Sequence, residues 1–172
     1  MIIFITGGAR SGKSTYAQQL ALSLSSNPVY VATAKVWDED FEKRIKRHQN
    51  ERDGQWTNIE EQRNVSMLPI EDKVCVIDCV TLWLTNFFID SKNDIDASLA
   101  LFKEQLDGLH KKQGTFIIIT NEIGMGVHAE TEMGRKFTDL QGWANQYAAA
   151  KATKVILMVS GIPVIIKETN NE

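Results

Sequence analysis

Cysteine is scarce: the 172 residues contain two, Cys75 and Cys79. No other Cys or His lies near them in sequence to complete a zinc set, so they read as reduced core residues of one strand in a cytoplasmic protein rather than as metal or redox groups. Basic charge is not in excess either. Lys and Arg number 19 against 22 Asp and Glu, a net charge of −3, which leaves no electrostatic footprint for nucleic acid. No apolar run approaches the roughly 20 residues of a membrane span. The N-terminus passes directly into a strand, so no signal peptide is expected. Repeats, low-complexity tracts and linkers are also missing. With 43% hydrophobic and 24% charged residues, the chain suits one globular domain over residues 1–172.

What is present begins with Gly7-Gly8-Ala9-Arg10-Ser11-Gly12-Lys13-Ser14. These residues fit Gly-x-x-x-x-Gly-Lys-Ser/Thr, the phosphate-binding P-loop, between a short apolar, β-branched run (residues 1–6) and a helical pattern through Ala17, Leu20, Ala21 and Leu24. Strand, glycine turn and helix form the context the motif requires. A random chain of this length shows the pattern roughly once in two hundred. Glycines let successive N–H groups converge on phosphate oxygens, and the helix start adds its dipole and unpaired donors. Lys13 then reaches the β- and γ-phosphates, while the Ser14 hydroxyl ligates Mg²⁺.

Further along, apolar runs at 28–33, 73–78, 115–120 and 154–159 read as buried strands, with helical patterns over 38–52, 99–112 and 132–152. Such alternation predicts an α/β fold of the P-loop NTPase (RecA-like) type, three layers with a mainly parallel central sheet. The tail 168–172 reads as loose. Asp78 closes its strand as a second magnesium-site carboxylate does; the competing role is a cap on a helix beginning near Thr81. Glu122 is placed similarly after its strand. No Asn-Lys-x-Asp occurs, which argues against a switch GTPase. On the helix 38–52, Arg44, His48 and Arg52 share a face, an arrangement that favours a neutral, nucleophilic imidazole and attracts phosphate. Taken alone, a histidine on a charged helix reads as a surface residue, as His110 and His128 do.

Taken together, several blocks resemble a single family: residues 5–14, Tyr30-Val31-Ala32-Thr33, Arg44-Ile45-x-x-His48, Trp56-Thr57-x-x-Glu60, Asn121-Glu122-Ile123-Gly124-Met125-Gly126 and Val159-Ser160-Gly161-Ile162-Pro163. The chain is similar to the bifunctional adenosylcobinamide kinase/adenosylcobinamide-phosphate guanylyltransferases of cobalamin biosynthesis, from about residue 2 to residue 167. The resemblance implies nucleotide contacts at Gly7, Gly8, Ala9, Arg10, Ser11, Gly12, Lys13 and Ser14, at Ala32, Thr33 and Ala34, at Gln49, Asn50, Glu51 and Arg52, and at Glu60 and Asp78. It implies His48 as the residue that takes up GMP, while the P-loop pattern and the strand end make Lys13 the expected catalytic cation and Ser14 and Asp78 the expected Mg²⁺ ligands. GTP and ATP are the implied substrates, adenosylcobinamide and its phosphate the implied partners, and a homotrimer the implied assembly. The chain departs from the family pattern in three places. Asp78 stands where some members carry Glu, His128-Ala129-Glu130 replaces a common Val-Pro-Glu, and Arg47 stands where at least one member has a second His.

Two rival readings are a P-loop small-molecule kinase without guanylyl transfer and a nucleotide-binding ATPase or regulator that transfers nothing. Trp37, Trp56, Trp83 and Trp143 read as core or interface residues rather than as the lining of a corrinoid site. The apolar run from Val80 to Ile89 exceeds what one helix face needs and is expected to pack against another subunit.

Overall fold

The computed structural model describes residues 1–35 and 54–169. Among them a seven-stranded sheet runs in the order β3-β2-β4-β5-β1-β6-β7. The strands are β1 (Ile2–Thr6), β2 (Val29–Ala32), β3 (Thr57–Glu60), β4 (Val74–Asp78), β5 (Thr115–Ile119), β6 (Lys154–Val159) and β7 (Ile162–Glu168). All neighbours pair in parallel except β6 and β7, which are antiparallel. The helices are α1 (Lys13–Leu24), α2 (Val80–Asp90), α3 (Ile95–Lys111) and α4 (Glu132–Lys151).

Two hydrophobic clusters lie on opposite faces of this sheet, which is why its central strands are apolar throughout. Ile3, Ile5, Val76, Ile117 and Ile156 pack with Ala17 and Ala21 of α1. Their alternate neighbours Ile2, Phe4, Cys75, Ile77, Phe116 and Val155 pack with α2, α3 and α4. The expected three-layer α/β arrangement is therefore present. No helix among the described residues is long and apolar enough to cross a membrane.

The structure adds two strands that period and composition did not announce. β3, Thr-Asn-Ile-Glu, is mostly exposed and polar, and forms because β2 supplies a parallel edge, Val29 to Ala32 lying opposite Thr57 to Glu60. β7 follows a two-residue turn at Ser160 and Gly161, whose φ angles of 51° and 84° are both positive, as the tight hairpin turn matched to strand twist requires. Glu168 is consequently part of a strand rather than a loose tail. Its carboxylate pairs with Lys154 at 2.8 Å, and the Thr169 N–H donates to Thr153 O.

The run 80–89 also differs from expectation. Val80, Trp83, Leu84, Phe87 and Phe88 are buried inside this one chain, because α2 is covered by the sheet, by α3 and by α4 through Phe137, whose ring meets Phe88 at 5.6 Å. Only Ile89 among the large residues of that run remains exposed. Trp56 and Trp83 are buried as expected, Trp143 is 46% exposed, and Trp37 lies outside the described residues. Cys75 and Cys79 are free and buried; burial pushes both thiols up to about 12.

Candidate active site

Parallel strands deliver their carboxyl ends to one edge of the sheet, and the sequence-marked residues collect there. The phosphate loop follows β1, Thr33 and Ala34 follow β2, Glu60 ends β3, Asp78 ends β4 and Glu122 follows β5. Register makes the grouping tight: Ala32 pairs with Glu60 on one side and with Asp78 on the other. Clefts beyond the carboxyl ends of open α/β sheets are where such folds bind ligands.

The loop has the backbone that phosphate binding demands. Gly7 has φ 147°, and a Cβ there would lie 2.6 Å from Met158 O, so no larger residue fits. Gly12, at φ 93°, stands at the start of α1 with no side-chain cap on the helix and no acidic residue in its first turn. The helix N–H groups and the positive end of its dipole therefore face the loop with no acidic residue of the helix's own first turn competing for them. The β6–β7 hairpin buttresses the loop from outside, the Gly161 N–H donating to Ser11 O at 3.0 Å.

Lys13 is buried within this loop, its Nζ donating to Gly8 O at 2.6 Å and lying 3.5 Å from Ser11 Oγ. Burial pushes its ammonium below the ordinary lysine value, opposed by Cys79 and Asp78. With the Cys79 thiol neutral at physiological pH, the opposing charge is that of Asp78. Asp78 accepts from the Ser14 hydroxyl at 3.1 Å and from the Tyr30 hydroxyl at 2.6 Å, both on Oδ2. It does not cap α2: the cap position belongs to Cys79, with no side-chain cap bond. The cis Asp78–Cys79 peptide is followed by a clamp in which Thr33 Oγ1 accepts from the Cys79 N–H and donates to Cys79 O.

Asn86, Gln141 and Asn145 at this edge escaped the sequence reading, whereas Glu122 did not. Asn86 of α2 reaches back to donate to Thr33 O and Gln62 O, at 2.8 and 3.0 Å. Glu122 accepts on Oε1 from the Thr6 hydroxyl at 2.6 Å and from Asn145 Nδ2 at 3.0 Å, and its N–H donates to Gly7 O. Asn145 is fixed in turn, its Oδ1 accepting from Thr120 Oγ1 and Gln141 Nε2. Gln141 and Asn145 sit one turn apart among the buried residues of α4, beside Leu140, Ala144 and Ala148. Two amides on an apolar helix face were the available signal. His48, Gln49, Asn50, Glu51 and Arg52 lie outside the described residues, and no group of three or more His, Cys, Asp or Glu that could hold a metal occurs among those described.

A profile of the cobinamide kinase/cobinamide phosphate guanyltransferase family matches residues 3–166. The chain belongs to this family. It is 35% identical to the bifunctional adenosylcobalamin biosynthesis protein CobU of Escherichia coli K12, over 97% of this chain and all of that protein. It is 33% identical to the corresponding CobP of Pseudomonas aeruginosa PAO1, over 95% of each chain. Among solved structures, an ATPase from a type III secretion system of pathogenic bacteria superposes with TM-score 0.58 at 10% identity, over 91% of this chain and 50% of that one. That likeness concerns the fold alone. Family membership agrees with the motif blocks, which run through the phosphate loop, the β2 end, Glu60 and the β6–β7 turn.

The family block at 121–126 opens the segment between β5 and α4. Arg135 ties that segment down by donating to Ala129 O and Glu130 O. Beside it lies a cavity of about 140 Å³ bordered by Gly124, Gly126, His128, Arg135 and Asp139.

Proposed function

We propose that this chain phosphorylates adenosylcobinamide with a nucleoside triphosphate and then transfers GMP from GTP to the resulting phosphate, giving adenosylcobinamide-GDP. The observation that carries the reading is a formed phosphate loop, with Lys13 inside it and the Ser14–Asp78 pair beside it, in a chain whose family match spans residues 3–166.

In the first reaction the loop N–H groups and Lys13 hold the β- and γ-phosphates of ATP or GTP. The acceptor hydroxyl displaces the nucleoside diphosphate, and catalysis consists mainly of positioning and charge neutralisation. A hydroxyl and a carboxylate 3.1 Å apart beside the loop are the hard oxygen donors that suit Mg²⁺, which binds through few protein ligands and the substrate phosphates. Ser14 and Asp78 would hold it, and when bound it neutralises phosphate charge. Ala32, Thr33, Ala34 and Glu60 border the nucleotide from β2 and β3.

In the second reaction a ring nitrogen of His48 attacks the α-phosphorus of GTP and pyrophosphate leaves. The phosphate oxygen of adenosylcobinamide phosphate then attacks the guanylyl-histidine and releases the imidazole, so one difficult transfer becomes two easier ones. Gln49, Asn50, Glu51 and Arg52 contact the GTP. The test is incubation with Mg²⁺ and GTP labelled on the α-phosphate, followed by denaturation. Acid-labile, alkali-stable label on the wild-type chain and none on His48→Asn is the expected result. An unlabelled wild type that still binds nucleotide leaves a kinase without guanylyl transfer.

The enzyme works as a homotrimer in the cytoplasm. Two unpaired buried cysteines suit a reducing compartment, and cell fractionation tests that placement. The outermost strand β7 exposes Ile162, Val164, Ile165 and Ile166, an apolar edge of the kind proteins cover. Sedimentation at micromolar protein should return three copies; a monomer overturns the assembly.

A further inference from the structure

Glu122 is the carboxylate the proposed mechanism leaves unused, and its setting is unusual for a surface acid. It follows β5, the strand between β1, which leads into the phosphate loop, and β4, which ends in Asp78. Its own N–H is bonded to Gly7 O, the first residue of the loop. A chain of buried polar side chains ends on it: Gln141 Nε2 donates to Thr120 Oγ1 and to Asn145 Oδ1, Thr120 Oγ1 donates to the same Oδ1, and Asn145 Nδ2 donates to Asn121 O and to Glu122 Oε1. Thr120, Gln141 and Asn145 are all at least 93% buried. Burying three such groups among apolar neighbours is unfavourable unless each is bonded, yet Gln141 Oε1 has no partner among the described residues. Packing alone would be served by apolar residues at these positions. What the network does achieve is orientation: two donors, from Thr6 and Asn145, converge on Oε1. Oε2 has no hydrogen-bond partner among the described residues.

We propose that Glu122 is the general base of the kinase reaction, its Oε2 accepting the proton of the acceptor hydroxyl. This rests on the kinase reading above. The balance is simple. The acceptor oxygen forms a bond to the γ-phosphorus, the bond from that phosphorus to the β–γ bridging oxygen breaks, the nucleoside diphosphate leaves, and the hydroxyl proton passes to Glu122 and then to water. A carboxylate held on one oxygen and open on the other is built for that transfer. Asp78 is likewise held on one oxygen, its Oδ2 accepting from Ser14 and Tyr30, but with Ser14 it is already assigned to Mg²⁺. The guanylyl half-reaction has no hydroxyl to deprotonate and should not need this group.

Glu122→Gln separates a chemical role from a structural one, because the amide oxygen still accepts from Thr6 and Asn145 while basicity is lost. A positioned base contributes about 10²- to 10⁴-fold, so kcat for cobinamide phosphorylation should fall by at least about 10²-fold in the variant. KM for both substrates and the extent of protein labelling by α-labelled GTP should stay near wild type. A variant whose kcat remains within about threefold of wild type would show that Glu122 only ties the loop to α4, and parallel loss of labelling and kinase turnover would show general damage to the site; either overturns the role. A wild-type protein that binds nucleotide but phosphorylates no cobinamide would instead overturn the kinase reading, and this role with it.

Discussion

Replacing Lys13 by Met should lower cobinamide phosphorylation by about 10³-fold while leaving the fold intact. Removing one preorganised donor from a site that stabilises developing charge costs about 10²- to 10³-fold, and Lys13 carries a full charge at the centre of the loop, which argues for the upper end. The fold should tolerate the change because the ammonium is buried and its pKa is lowered, chiefly by that burial. A folded-state pKa below the unfolded value means the charged form is disfavoured by folding. That penalty is present in full below the folded pKa and disappears as pH rises toward the unfolded value near 10.4. Met keeps the aliphatic stem and deletes the charge, losing the bond to Gly8 O and the long contact with Ser11 Oγ. Thermal unfolding without nucleotide should therefore give a midpoint equal to or above wild type. Adding ATP or GTP should raise the wild-type midpoint by the linkage of ligand to folding and leave the variant nearly unmoved. A variant that keeps its nucleotide-induced shift and its turnover would place the phosphates elsewhere.

Trp83→Ala should destabilise the protein by about 3–5 kcal/mol, the range for deleting a large buried aromatic. Trp83 is fully buried, meets Phe102 edge-on at 5.5 Å and Phe87 at 6.2 Å, and donates its indole N–H to Arg63 O at 3.0 Å. Its removal opens a cavity beneath α2 and leaves a carbonyl unpaired. Against a total of about 5–15 kcal/mol for ordinary domains, that is about a fifth of the stability or more. Urea unfolding should show a much lower midpoint at an unchanged slope. Weak destabilisation together with lost affinity for cobinamide would instead make Trp83 part of a corrinoid site.

The contrast between α2 and the phosphate loop shows where reading from residues succeeds and where it stops. Gly7 to Ser14 declare themselves because the chemistry is local: a turn around an anion needs glycine at particular positions and a helix directly after it. The apolar run 80–89 declared burial but not its partner, and the partner proved to be α3, α4 and the sheet of the same chain. β3 and β7 were not legible by pattern, since each takes its strand form from a neighbour's edge. Asn121 and Glu122 were visible as a motif, whereas Thr6, Gln141 and Asn145 acquired meaning only when β1 and α4 met beside it.

The phosphate loop, the parallel α/β architecture and the family can be read from the residues alone, because the first two rest on short-range backbone requirements and apolar periodicity and the third on contiguous motif blocks. That Ser14 and Asp78, 64 residues apart in sequence, share a hydrogen bond, and that a buried amide chain on α4 aims at Glu122, became visible with the folded chain. Such pairings depend on strand order and register, which bring together residues that nothing in their own neighbourhoods connects.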